Sequence, residues 1–440
     1  MITQAEYDQR RARLIAECLP NSVVVLPAAQ MCTRSNDTEY HFRQNSDFWY
    51  FTGFNEPDAY LILSNRDNAN SFASYVFLRP KDKTAEIWHG RRLGVQSAPS
   101  TLNIQQAYSI EELDELLPTI INGHDHLYYT AGANTLADKV VNAAIKVCKT
   151  APKQAMSAPK CVHDISIMIH KMRLIKSEQE IAVMQRAADI SAQAHCKAMQ
   201  IAHPDIWEYQ LEADILHTFA SNGARFAAYN TIVGGGENAC ILHYVDNNQR
   251  VADGDLVLID AGCELHGYAA DITRTFPING KFTPAQAEIY QLVLDAQLAS
   301  LDLLKPSGQI SVAMDRAVEI ITKGLIRLGI IKQDFESAIE SQSWRNFFMH
   351  GLGHYLGLDV HDVGVYKVNG ADIPLTPGIV MTVEPGIYIS PDADVPEQYK
   401  GIGIRIEDNI LITEGGNKIL TDKVPKTIKD IETLMLQNAL

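Results

Sequence analysis

Up to Cys18 the apolar positions of this chain recur at helical spacing, and an unbroken strand-like run follows at residues 22–26. Further short apolar runs, each bounded by turn-forming residues, lie at 58–63, 74–78 and 126–129. Helical patterns occupy 110–117 and 135–147. Alternation of this kind predicts an α/β domain. Between residues 149 and 160 the composition turns to Ala, Pro, Lys, Ser and Gln, which reads as a connector. The expected domains are therefore 1–164 and 165–440.

The second domain opens with Ser177 and Glu180 at capping-box spacing, and Ile181, Met184, Ala188 and Ala192 continue one helical stripe. Long helices are expected at 284–304 and 310–328. Strands are expected at 256–261, 269–276, 379–384 and 403–413. Helices and strands mix in hairpin-like order, so this domain reads as α+β. The sequence carries no short-period repeat, low-complexity tract or heptad seam.

Composition narrows the function classes. A chain of 440 residues exceeds one ordinary core, and 46% hydrophobic with 21% charged residues is a folded rather than a disordered balance. A net charge of −15 opposes general nucleic-acid binding through long-range repulsion. The seven cysteines are scattered without a CxxC pair, which favours reduced thiols. Glu6, Asp8, Arg10, Arg11, Arg13 and Glu17 rule out a signal-peptide core near the start, and no apolar run approaches membrane-spanning length. The expectation is a cytoplasmic protein without nucleic-acid or membrane partners.

The chemistry lies in acids placed among apolar residues. Asp260 ends an apolar strand, and Asp271 follows eleven positions on. If residues 264–267 form the turn, Cys263 pairs with Tyr268 and Asp260 faces Asp271, with Cβ atoms roughly 5 Å apart. Like charges so placed need something to bridge them. Phe347-Phe-Met-His-Gly-Leu-Gly-His-Tyr brings His350 and His354 together, with His361 close behind; the glycines argue against a regular helix, and the string is not HExxH. Glu384 precedes Pro385-Gly386. In Gly403-Ile-Arg-Ile-Glu-Asp, period-two logic puts Arg405 and Glu407 on one face and Asp408 on the other, without saying which acid serves the site. His243 reads equally as a substrate contact or a core histidine. Gly234-Gly235-Gly236 lacks the Lys-Ser/Thr of a phosphate loop. Isolated carboxylates in such settings resist ionisation, and two divalent cations would offset four of them. Oxygen-rich ligation favours manganese, magnesium or a similar ion over a cysteine-rich zinc site.

Taken together, these motifs resemble the Xaa-Pro aminopeptidase (aminopeptidase P) family of "pita-bread" metallopeptidases. In the first domain, His41-Phe-Arg-Gln-Asn-Ser-Asp-Phe-Trp-Tyr-Phe-Thr-Gly-Phe looks like the family's creatinase-type N-terminal domain. In the second, the strings around Asp260, Asp271, His354, Glu384 and Glu407 match five metal-ligand motifs in order. The resemblance implies an α/β N-terminal domain plus an α+β pita-bread catalytic domain holding two divalent ions, usually manganese. It implies that Asp271 and Glu407 bridge the ions, Asp260 completes one coordination sphere, and His354 and Glu384 complete the other, which selects Glu407 over Asp408. A hydroxide between the metals would attack the carbonyl before a proline nitrogen, with Glu384 shuttling the proton.

The same resemblance gives His361 a share in oxyanion stabilisation and His243 and Arg405 a place around the proline. His350 and Tyr388 would line the cleft, and the substrate's free amine would meet Asp260. Trp88, in Glu86-Ile-Trp-His-Gly, is similar to a family position that reaches a neighbouring subunit's cleft in a dimer or tetramer; a buried structural tryptophan is the other reading. Some relatives carry Ser and Trp where this chain has Gly353 and Tyr355, which bears on pocket shape. The expected activity is release of the first residue from peptides with proline second. A prolidase confined to Xaa-Pro dipeptides shares the site, and a metal-free binding module shares the scaffold but lacks the ligands. The long match in both domains, including Pro396-Glu-Gln-Tyr-Lys-Gly-Ile-Gly-Ile-Arg, favours the aminopeptidase.

Overall fold

The strand Ser22–Pro27 is buried on both sides over its Val-Val-Val-Leu run, so it must lie inside a sheet rather than at its edge. A computed structural model, which describes residues 1–66 and 72–437, places it there. It pairs antiparallel with Tyr60–Ser64 and parallel with His126–Tyr128. Ala73–Leu78, Gln106–Ser109 and Cys161–His163 complete a six-stranded mixed sheet, with Gln106–Ser109 and Cys161–His163 at the two edges. Val23, Val25, Ile62 and Leu127 pack with Leu117 and Val141 from the helices Leu113–Ile121 and Thr135–Thr150. The helical pattern at 110–117 thus begins as a 3-10 turn, Ile110–Glu112, and runs on to Ile121.

Two compact units, Met1–Met172 and Arg173–Leu440, divide the chain. The compositional shift points to residue 165, whereas the division falls near the end of the helix Ser166–Leu174. The Tyr50 hydroxyl donates to the Met172 carbonyl at 3.2 Å, and His170 lies 3.9 Å from Asp47, tying that helix to the first unit.

In the second unit the Ser177–Glu180 capping box opens the helix Glu178–Ile201. That helix packs on Glu208–Ser221 and on the strand Cys263–Leu265. The helices Pro284–Leu301 and Ile310–Arg327 pack on each other. Among the described residues, no helix is long and apolar enough to cross a membrane.

The strands depart from expectation in one systematic way. The run expected at 269–276 is two strands, Tyr268–Ala269 and Thr273–Pro277, which belong to different sheets. The run expected at 403–413 likewise splits into Gly403–Arg405 and Asp408–Thr413. Their hairpin partners switch sheets at the same levels, Leu256–Asp260 giving way to Cys263–Leu265 and Val380–Val383 to Gly386–Tyr388. Asp260, Asp271, Glu384 and Glu407 all sit at these four switches.

The turn also differs from expectation. His266 and Gly267 both adopt positive φ, 51° and 86°, forming a two-residue hairpin turn rather than a loop over 264–267. Leu265 therefore pairs with Tyr268, and Asp260 pairs with Thr273 instead of Asp271. The slip is two residues, so side-chain parity survives and both aspartates still point the same way. Gly262 makes the crossing possible: a Cβ there would lie 1.7 Å from the Ala270 carbonyl oxygen. Gly234 and Gly235 belong to the strand Ile232–Gly235.

Candidate metal centre

Because the second hairpin keeps one register through its break, Val380 opposite Leu411 and Gly386 opposite Arg405, Glu384 and Glu407 meet across it. The first hairpin brings Asp260 and Asp271 to the same place. His354 arrives from a glycine-marked loop with no helix, held by a hydrogen bond from its own N–H to Thr382 Oγ1 at 3.0 Å and by one from Thr382 N–H to its carbonyl at 2.9 Å. All five side chains line one cavity of about 560 Å³, together with His243, His350, His361 and Arg405.

Ligating atoms of Asp271, His354 and Glu407 lie within 4.8 Å of one another. His354 Nδ1 is 2.9 Å from the Tyr355 carbonyl, which takes the ring N–H and leaves the Nε2 lone pair facing Asp271 Oδ2 at 3.4 Å and Glu384 Oε1 at 3.5 Å. Glu384 is oriented by the Thr382 hydroxyl at 3.0 Å. Thr273 donates to Glu407 Oε2 at 2.6 Å.

Burial pushes the carboxyls of Asp271 and Glu407 well above the usual range, and repulsion from the other acids adds to it. Burial also raises Glu384, against the pull of His354 and Arg405. A cluster of acids that resists ionisation by itself fits a site for divalent cations, whose charge would reverse that balance. The donor set of carboxylates and one imidazole, with no cysteine on the cavity wall, suits hard or borderline ions.

Glu407 faces this cavity, and Asp408 faces away. The neighbouring acid is buried against Arg274 Nη2 at 2.7 Å, Lys426 Nζ at 2.6 Å and the Thr421 hydroxyl at 2.7 Å. Burial alone would raise the Asp408 carboxyl; the two cations win and hold it far below the usual range.

Tyr229 is a member of the site that sequence reasoning missed. Its hydroxyl sits 2.6 Å from Asp260 Oδ1 and 2.5 Å from Asp271 Oδ1, spanning the two acids. No spacing signals it, because the contact joins a loop residue to a distant hairpin. Asn409 was equally invisible: its side chain accepts the Asp271 N–H at 3.0 Å and donates to the Asp271 carbonyl, clamping that residue's backbone.

Arg405 donates to Asp260 Oδ2 at 2.7 Å, to the Tyr388 hydroxyl at 2.8 Å and to Thr273 Oγ1 at 3.0 Å. Tyr388, expected at the substrate, lies instead behind the cavity wall, buried, with its hydroxyl 2.8 Å from His350 Nε2. Burial, with Arg405 adding to it, lowers His350 to about 4, so the ring is neutral and accepts the tyrosine proton. His361 is also lowered, by burial and then by the imidazoles of His354 and His243. His243 is exposed on the cavity wall, which removes the core-histidine reading. Trp88 belongs to the first unit and is 77% exposed, which removes the buried-tryptophan reading. Tyr355 is buried and stacks on Tyr366 at 4.3 Å.

Residues 182–414 match the model of metallopeptidase family M24, and residues 7–128 match the aminopeptidase P N-terminal domain. The chain belongs to metallopeptidase family M24. This M24 chain is 51% identical to the Xaa-Pro aminopeptidase of Escherichia coli, over 99% of its own length and 98% of that protein's. Its structure is similar to zinc-substituted E. coli aminopeptidase P in complex with product, with a TM-score of 0.97 and 50% identity, covering 99% of both chains. It is similar also to proline aminopeptidase P II from Yersinia pestis, with a TM-score of 0.97 and 52% identity, covering 99% of this chain and 100% of the other. The α/β N-terminal domain and α+β pita-bread catalytic domain expected from the motifs are therefore the fold found.

Proposed function

We propose that this metal-dependent aminopeptidase releases the N-terminal residue from peptides whose second residue is proline. The observation that carries the reading is the meeting of Asp260, Asp271, His354, Glu384 and Glu407 on one cavity wall, with two of the acids buried and resistant to ionisation. These five residues would hold two divalent ions, manganese in the working enzyme. Asp271, His354 and Glu407, whose ligating atoms already lie within 4.8 Å of one another, would contribute alongside Asp260 and Glu384. When bound, the ions supply Lewis acidity, lowering the pKa of water and polarising the scissile carbonyl.

The chain's own groups do the rest. Glu384, steadied by Thr382, carries a proton from the attacking water to the departing proline nitrogen. His361 stays neutral near pH 7 and donates to the developing oxyanion. Ile232, Leu242 and Val245 offer the apolar wall that a pyrrolidine ring needs, with His243 beside them. Arg405 keeps Asp260 oriented toward the substrate's free amine, while Tyr388 and His350 act through Arg405 and the cleft wall. The exposure of Trp88 supports a role at a neighbouring subunit's cleft in a dimer or tetramer. Scattered cysteines support a reducing, cytoplasmic setting.

The relatives named above do not favour a prolidase. The test compares an Xaa-Pro dipeptide with an Xaa-Pro-Yaa tripeptide in the manganese-loaded enzyme. Turnover of the tripeptide is expected, and turnover confined to the dipeptide would defeat the proposal.

A further inference from the structure

The catalytic cavity uses none of the cysteines, yet one of them stands in a different cluster on the N-terminal sheet. His126 begins the strand His126–Tyr128, and Cys161 begins its parallel neighbour Cys161–His163. The register pairs His126 with Cys161, so their side chains leave the sheet on the same face. His163 lies two residues beyond Cys161 and shares that face by strand parity. His126 Nδ1 and His163 Nε2 are 2.9 Å apart, and one ligating atom from each of the three residues falls within 4.8 Å of the others.

From this geometry we infer a second metal site, with two imidazole nitrogens and one thiolate sulfur as donors, that takes a zinc-class ion. Two nitrogens held by a tetrahedral zinc ion at ordinary bond lengths stand about 3.3 Å apart, so the rings need only small rotations to admit one. Three protein ligands leave a fourth position for water, consistent with the exposure of Cys161. The Tyr128 ring stacks on His163 at 4.7 Å and 23°, limiting the orientations that imidazole can take. Lys160 lies next to Cys161, but its charge is already matched by Asp125 at 2.6 Å. On binding, the thiol proton passes to solvent, and the hydrogen between the two rings moves to the far nitrogen of its own imidazole.

Donor chemistry separates the two centres. Thiolate and imidazole select zinc, cobalt or copper, whereas the carboxylate-rich catalytic cavity suits manganese. The new site also has a mechanical consequence. Cys161–His163 is a three-residue edge strand, and an ion bound to it and to His126 would pin it to the sheet.

Cobalt(II) added to the manganese-loaded, reduced protein gives the decisive test. A thiolate-to-cobalt charge-transfer band in the near ultraviolet can come only from a cysteine ligand, even where cobalt also enters the catalytic cavity. The proposal expects the band to saturate at one equivalent, to persist in Cys32→Ser, and to vanish in Cys161→Ser and His163→Ala. It also expects zinc to slow amide exchange in residues 161–163 of the natural protein and not of Cys161→Ser. Peptidase activity in Cys161→Ser should match the natural protein. No band, a band that survives Cys161→Ser, or unchanged exchange with zinc would leave the two imidazoles as an ordinary hydrogen-bonded pair and overturn the site.

Discussion

Replacing adjacent acids, Glu407→Gln and Asp408→Asn, should have opposite consequences, and the reason lies in what each faces. Asp408 is fully buried, and Arg274 beside it is also fully buried. Neutralising Asp408 leaves that guanidinium, together with Lys426, around a group that no longer carries charge. Breaking one side of such a buried pair costs about 3–5 kcal/mol. For a unit of this size the loss corresponds to a fall in melting temperature of about 6–20 °C. Glu407 is buried among acids that repel it and already resists ionisation in metal-free protein. Gln imitates the protonated form, so the change should lie within about 1 kcal/mol of zero there. The assay is thermal unfolding of both variants after chelation, repeated with saturating manganese. Manganese should stabilise the natural protein and Asp408→Asn strongly, and Glu407→Gln weakly. Equal losses in metal-free protein, or a larger loss for Glu407→Gln, would refute this account of the two environments.

Three further outcomes follow from the same geometry. Asp271 and Glu407 have folded carboxyls raised above their unfolded values, so their contribution to stability is complete below about pH 4 and is lost as pH rises through the folded values. Metal-free protein should therefore lose stability as pH climbs above the ordinary carboxyl range of about 4, and manganese should flatten that fall; scanning calorimetry over a pH series checks both. Glu384→Gln should keep the circular dichroism spectrum while kcat falls by about 10²–10⁴-fold, measured on an Xaa-Pro-Yaa tripeptide with manganese saturating. Gly262→Ala should cost about 1–3 kcal/mol, read by urea unfolding, because its Cβ would meet the Ala270 carbonyl oxygen at 1.7 Å.

Much of the molecule is legible in local pattern. The Ser177–Glu180 cap, the helix stripes and the apolar strand runs each express preferences that span a few residues, and these elements fold where their own residues direct. The acids were legible too, because a carboxylate beside Leu-Val-Leu-Ile is costly wherever the chain goes. Period-two parity placed Arg405 with Glu407 in the second hairpin, and in the first it kept Asp260 and Asp271 on one side through the two-residue slip at His266-Gly267.

Pattern could not show where a strand leaves one sheet and enters another. Residues 403–413 read as one continuous run, yet the chain changes sheets at Ile406-Glu407 because its partners on the other hairpin strand change there. That switch turns Glu407 toward the cavity and Asp408 toward Arg274. Tyr229 and Asn409 reach Asp271 from positions distant in sequence, so no spacing rule contains them. Local composition decides which elements form and which residue types they carry. The meeting of four like charges at one point is decided by pairing between remote segments, whose energies no short window of the chain holds.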